Sequence, residues 1–166
     1  RRGFKEGHLV FRGSSKTFAV RNGHSIDEAI RHEIASYWPT LYSKFDRVPV
    51  RIVKEQNAIQ DVLSGSRNLT PDVKELKLFD GAGQLNSHSP LIDEIRIYLA
   101  TRQAKNERVL GRELLDHFER PPYGWDPNAV RVGIAGLVRV GRCKIVMDKK
   151  VYMNPQDSDL QKALRD

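Results

Sequence analysis

Gly13-Ser14-Ser15-Lys16-Thr17 carries the small residues and the Lys-Thr pair of a phosphate-binding loop. Such a loop surrounds phosphate with backbone N–H groups at the start of a helix, and needs glycine directly before the lysine and again five residues earlier. Ser15 and Val10 stand at those places, and Thr17 continues into a strand-like run, so a nucleotide site is not expected here. His8, His24, His32, His88 and His117 have no metal-ligand spacing, and Cys143 is the one cysteine available to join them. Asp27-Glu28 and Asp93-Glu94 are acid pairs near predicted helix starts, where the helix dipole accounts for them. Cys143 reads as a small apolar residue in a strand. With no nucleophile, base and orienting group to assemble, the expectation is no catalytic residue, no metal and no cofactor.

The pattern that does suggest chemistry is cationic. From Arg120 to Met153 seven Lys and Arg residues face only Asp126 and Asp148 as carboxylates, which concentrates most of the chain's net charge of +7 in this stretch. On a helix advancing about 100° per residue, Val130, Ile134, Leu137 and Gly141 share one side, while Asn128, Arg131, Ala135, Arg139 and Arg142 share another. The second side is predicted to face outward. Together with Lys149 and Lys150 at the bend of a following hairpin, it gives Asn128, Arg131, Arg139, Arg142, Lys149 and Lys150 as candidate nucleic-acid-binding residues: arginines for base edges in a major groove, lysines for phosphates.

These residues need elements to position them. Two strand-like runs, residues 8–12 and 17–21, flank a turn and predict a hairpin. Ser25-Ile26-Asp27-Glu28 is a capping box opening a helix whose apolar side, predicted to be buried, is Ile26, Ala29, Ile30, Ile34, Tyr37 and Trp38, with Pro39 disfavouring continuation past Trp38. Residues 48–53 are apolar at alternate positions and predict a third strand. Short helices follow around Ala58, Ile59, Val62 and Leu63, ending near Gly65, and after Thr70-Pro71, with Val73, Leu76 and Phe79 inward. A glycine-rich loop at residues 80–87 is the expected boundary.

Beyond it, Ser89-Pro90 opens a helix through Leu91, Ile92, Ile95 and Leu99, a second runs from Gly111 to about Glu119, and Asp126-Pro127 caps a third. Pro121-Pro122-Tyr123-Gly124-Trp125 must turn, and Trp125 is read as core. Residues 142–147 and 149–153 are strand-like about an Asp148-Lys149 bend. Three helices and a β-hairpin follow the chain order of a winged helix. The predicted fold is therefore α+β: an N-terminal β-β-α-β subdomain (1–87), a C-terminal winged helix (88–155) and the start of a further helix or tail (156–166).

The 166 residues, 39% hydrophobic and 30% charged, contain no apolar run of membrane-spanning length, and a secretory signal is not expected because residues 1–6 lack its apolar stretch. A single cysteine fits a reducing cytoplasm. The absent initiator Met and the helix signal running into Asp166 point to a piece of a longer protein.

The Pro121-Pro122-Tyr123-Gly124-Trp125 run, followed by the helix ending at Val140-Gly141, resembles a segment of the large P-loop ATPases of bacterial phage exclusion, the BrxC/PglY family of BREX. Val10-Phe11-Arg12-Gly13 and Trp38-Pro39-Thr40-Leu41-Tyr42 resemble that family's region ahead of its winged helix. The resemblance implies a role in phage defence, with ATP hydrolysed elsewhere in the parent. The expected function is then a non-catalytic DNA-binding or assembly module. Its expected partners are double-stranded DNA, other domains of the parent ATPase or other defence proteins. The competing readings are a docking segment without DNA contact and a free-standing transcriptional regulator.

Overall fold

The computed structural model describes residues 6–11, 14–19 and 25–165, arranged as two units, Arg1–Ser43 and Lys44–Asp166. In the first, β1 (Glu6–Phe11) and β2 (Ser14–Ala19) pair antiparallel, His8 opposite Thr17, and are followed by α1 (Ile26–Leu41). Of the turn expected at residues 13–16, residue 13 lies outside the described residues, and Ser14, Ser15 and Lys16 belong to β2 instead. Ser25 and Glu28 form the predicted capping box: the Ser25 hydroxyl accepts from the Glu28 N–H, and the Glu28 carboxylate accepts from the Ser25 N–H. Two expectations for α1 fail. The helix passes through Pro39 to Leu41, because a proline this close to the C-terminus removes few helical bonds and Tyr42 still donates to the Trp38 carbonyl. Its apolar side is not buried either: Ile26, Ile30, Ile34 and Trp38 are exposed by 36–47%.

The second unit begins with a 3-10 turn, Phe45–Arg47. Residues 48–53 run extended but pair with no strand, which corrects the predicted β-β-α-β arrangement. Their alternation has a different cause: Val48, Val50 and Ile52 insert into the helical core while Pro49, Arg51 and Val53 stay outside. The backbone of Ile52 is held by side chains in place of a strand, its N–H donating to Asp126 Oδ2 at 2.6 Å and its carbonyl accepting from Asn128 Nδ2 at 3.2 Å. Helices α2 (Glu55–Ser64) and α3 (Pro71–Glu75) then contribute Ala58, Ile59, Val62, Leu63 and Val73 to the core. The 80–87 loop, expected as the subdomain boundary, lies inside this unit. It is tied back by the Phe79–Leu85 bridge and by the Asn86 N–H, which donates to the Leu78 carbonyl. The division between units falls at Ser43 and Lys44 instead.

Helices α4 (Pro90–Ala104), α5 (Gly111–Glu119) and α6 (Pro127–Arg139) precede a two-stranded hairpin, β3 (Ile145–Met147) and β4 (Lys150–Tyr152). Asp148 and Lys149 both take positive φ, 50° and 65°, as a two-residue hairpin bend requires. The tail expected at 156–166 forms α7 (Leu160–Arg165), which sinks Leu160 and Leu164 into the same core.

Helix α6 is the centre of this unit, packed by α2, α4, α5 and α7, with nine of its residues buried. Gly133 allows α4 to approach: a Cβ there would lie 2.9 Å from Ile95 Cδ1 and 3.0 Å from Leu91 Cδ2. Overpacking costs roughly 1–3 kcal/mol while replacing a helical glycine by alanine recovers about 1 kcal/mol. Gly133→Ala should therefore lower stability by about 1 kcal/mol, measured by urea denaturation; an unchanged or higher midpoint would show that the two side chains move aside freely.

Candidate functional site

The Asp126 carboxylate caps α6 as predicted, Oδ1 accepting from the Asn128 N–H at 3.2 Å, and its second oxygen grips the Ile52 backbone. Trp125, 1% exposed, stacks on Phe118 with ring centroids 5.3 Å apart and planes 2° from parallel. Its indole Nε1–H donates to the Lys44 carbonyl at 3.0 Å, so the residue read as core is core.

The candidate residues for nucleic acid do not share one open face. Ala135, in the middle of that side of α6, is fully buried. Asn128 spends its amide on Ile52. Arg131 is half-buried: Nη1 lies 3.3 Å from Glu55 Oε1 and donates to Asn128 Oδ1, while Nη2 donates to the Arg165 carbonyl. Arg139 lies on the Phe79 ring, its guanidinium carbon 4.4 Å from the ring centroid. Arg142 and Lys149 are exposed. Lys150 is also exposed, but its ammonium sits 3.4 Å from Asp157 and 3.3 Å from Asp159. The predicted outward face of α6 is thus covered, and its cations divide among three surroundings. A sequence signal for this exists: residues 132–138 contain no charged or hydrogen-bonding side chain on any side, and a helix apolar all round is an interior helix.

A second polar centre lies where the sequence suggested only a helix-dipole acid. Glu94, 6% exposed, receives hydrogen bonds from Lys44 Nζ (2.7 and 2.9 Å), Arg47 Nη1 (2.8 Å) and the Tyr123 hydroxyl (2.9 Å). Burial pushes its carboxyl up, but the Lys44 and Tyr123 hydrogen bonds and the Lys44 and Arg47 charges outweigh this and hold it below the usual carboxylate range. Burial, with the Glu94 hydrogen bond, pushes the Tyr123 phenol up, which keeps it a proton donor to the acid. Nearby His117 packs on Tyr98, Phe118 and Tyr123; burial and the charges of Arg102 and Lys44 push it down. These groups form a clasp between the 3-10 turn, α4 and the turn before α6, and all acceptor capacity of Glu94 is directed at protein donors. The local signal was Glu94's place three residues after Leu91 and next to Ile95, on the buried stripe of α4.

Burial pushes the Cys143 thiol up, which disfavours the thiolate a nucleophile requires. Among the described residues no three His, Cys, Asp or Glu side chains are grouped to hold a metal, and no helix is long and apolar enough to cross a membrane.

Residues 49–166 match the family model of the winged helix-turn-helix domain of the BREX ATP-binding protein BrxC. The matched stretch begins five residues into the second unit and contains all of α2 to α7. No curated protein and no solved structure matches the chain.

Proposed function

Since this chain belongs to the BREX BrxC winged helix-turn-helix family, we propose that it acts as a non-catalytic assembly module of a phage-defence ATPase, docking domains of its parent or other defence proteins. The observation that carries this reading is the enclosure of α6. A recognition helix must present a polar face to the major groove, whereas this one is packed on several sides, with Asn128 and Arg131 engaged within the protein. Docking needs no free recognition helix. ATP hydrolysis belongs, on this reading, to the nucleotide-binding region of the parent.

A second reading has its own support. Arg142, Lys144 and Lys149 are exposed and have no salt-bridge partner among the described residues, so the hairpin side of the module is suited to DNA phosphates without reading sequence. The two readings separate in one experiment, duplex binding by fluorescence anisotropy across a salt series beside titration against the remainder of the parent ATPase. Docking predicts saturable binding to the parent. Any duplex binding should be sequence-blind, fall steeply with salt, and weaken by about tenfold or more in the combined Arg142→Ala, Lys144→Ala, Lys149→Ala variant. Strong preference for one duplex sequence, lost in folded Arg131→Ala, would overturn the docking reading.

A further inference from the structure

Arg67, Lys74, Lys77 and Arg139 line one open cavity of about 890 Å³, bounded by the end of α2, α3 and the 80–84 loop. Asp80 is the single carboxylate on its wall, and Asp80 Oδ1 already accepts from the N–H groups of Ala82 and Gln84, both at 2.9 Å. None of the four cations has a salt-bridge partner among the described residues, unlike Arg131 and Lys150. Like charges gathered around one space repel unless anions join them, and Asp80 sets one negative charge against four positive ones, so the cavity keeps a net positive charge.

Arg139 is built into place there. Its guanidinium lies on the Phe79 ring and also passes close to Gly65, where a Cβ would stand 3.0 Å from Nη2. Gly65 also holds φ at 75° as the C-cap of α2, a conformation that side chains disfavour. The planar fork of arginine is therefore fixed before any ligand arrives, which suits the oxygens of a phosphate. Gln84 forms part of both this cavity and a second one of about 600 Å³, whose charged lining is Arg96, Arg142 and the single carboxylate Asp93. Cations thus continue past the loop.

We propose that the Arg139 cavity is a binding site for phosphate groups, and that the Arg96 and Arg142 cavity extends it for a ligand carrying several phosphates in a chain. Such a ligand is a nucleic-acid strand or a free polyphosphate. Arg142 belongs both to this extension and to the surface invoked for duplex contact, whereas Lys144 and Lys149 line neither cavity, and the site is independent of the docking reading.

The test uses the full chain at low salt with two probes: a labelled single-stranded oligonucleotide of about twelve nucleotides, read by anisotropy, and tripolyphosphate, read by calorimetry. Arg67 and Lys74 are both exposed, so the double variant Arg67→Glu, Lys74→Glu should keep the fold, checked by its thermal melt. It should weaken the bound probe by about tenfold or more, with a reduced salt slope. Arg139→Lys should also weaken it, having lost the fixed plane while keeping the charge. Lys144→Ala, Lys149→Ala should leave it unchanged. Tighter binding of the oligonucleotide assigns the ligand as a strand; equal or tighter binding of tripolyphosphate assigns a free polyphosphate. Absence of binding by both probes, undiminished binding in folded Arg67→Glu, Lys74→Glu, or loss of binding in the wing variant would each overturn the site. Titration against the remainder of the parent ATPase should be unaffected by Arg67→Glu, Lys74→Glu, so the outcome does not depend on whether the module docks.

Discussion

Trp125→Ala is expected to destabilise the second unit by roughly 3–5 kcal/mol, the range for truncating a large aromatic side chain in a core. The magnitude follows from what the indole joins. It is 1% exposed, stacked on Phe118 from α5, edge-on to Tyr123, and bonded through Nε1 to the Lys44 carbonyl at the start of the unit. Truncation would leave a cavity and remove the donor to a part-buried carbonyl together. Trp125→Phe keeps most of the apolar contact and loses the hydrogen bond, so it should cost less, about 1–2 kcal/mol. Urea denaturation gives the order, and fluorescence gives an independent check. The chain has two tryptophans, and Trp38 is 47% exposed, so removing Trp125 should leave emission dominated by a solvated indole. Unchanged stability in Trp125→Ala would show that the aromatic stack is not what joins α5 to the 3-10 turn.

Glu94→Gln should have the next largest effect. Removing one member of a buried ion pair costs roughly 3–5 kcal/mol. Here Lys44 and Arg47 retain 31% and 55% side-chain exposure and can recover water. The expected loss at neutral pH is therefore about 2–3 kcal/mol after allowing for that screening. The pH dependence has a definite sign. A carboxyl held below its usual value in the folded state stabilises the fold fully above the unfolded value of about 4.3, and that contribution disappears as pH falls through the lower folded value. Parent and Glu94→Gln should accordingly differ most at neutral pH and converge as pH falls below the usual carboxylate range. Parallel urea titrations from neutral to acid pH measure this; a difference independent of pH would show that Glu94 acts through packing and not through its charge.

Local chemistry was legible in the sequence. Ser25 and Glu28 specify the start of α1, Asp126-Pro127 the start of α6, Gly65 the end of α2, and Asp148-Lys149 the bend of the hairpin, because caps and bends satisfy backbone groups within a few residues. The proline-tyrosine-glycine-tryptophan run was enough to suggest the family and to place Trp125 inside. Periodicity misled where one pattern has two causes. Alternation at Val48, Val50 and Ile52 marks one wet and one dry side of an extended chain, whether or not a neighbouring strand is present.

Tertiary structure decided which cations are free. The helical wheel of α6 correctly separates arginines from the aliphatic side, yet the wheel contains no information about what packs against either. Glu55 reaches Arg131 from 76 positions away in sequence, Phe79 reaches Arg139 from 60, and Asp157 and Asp159 close on Lys150 from the segment leading into α7. Glu94 likewise acquires its meaning from Lys44 and Tyr123, 50 and 29 positions away. Caps and turns are determined by neighbours in the chain, so the sequence by itself determined them; burial of an ionic group depends on neighbours in space, brought together only when the apolar core closes.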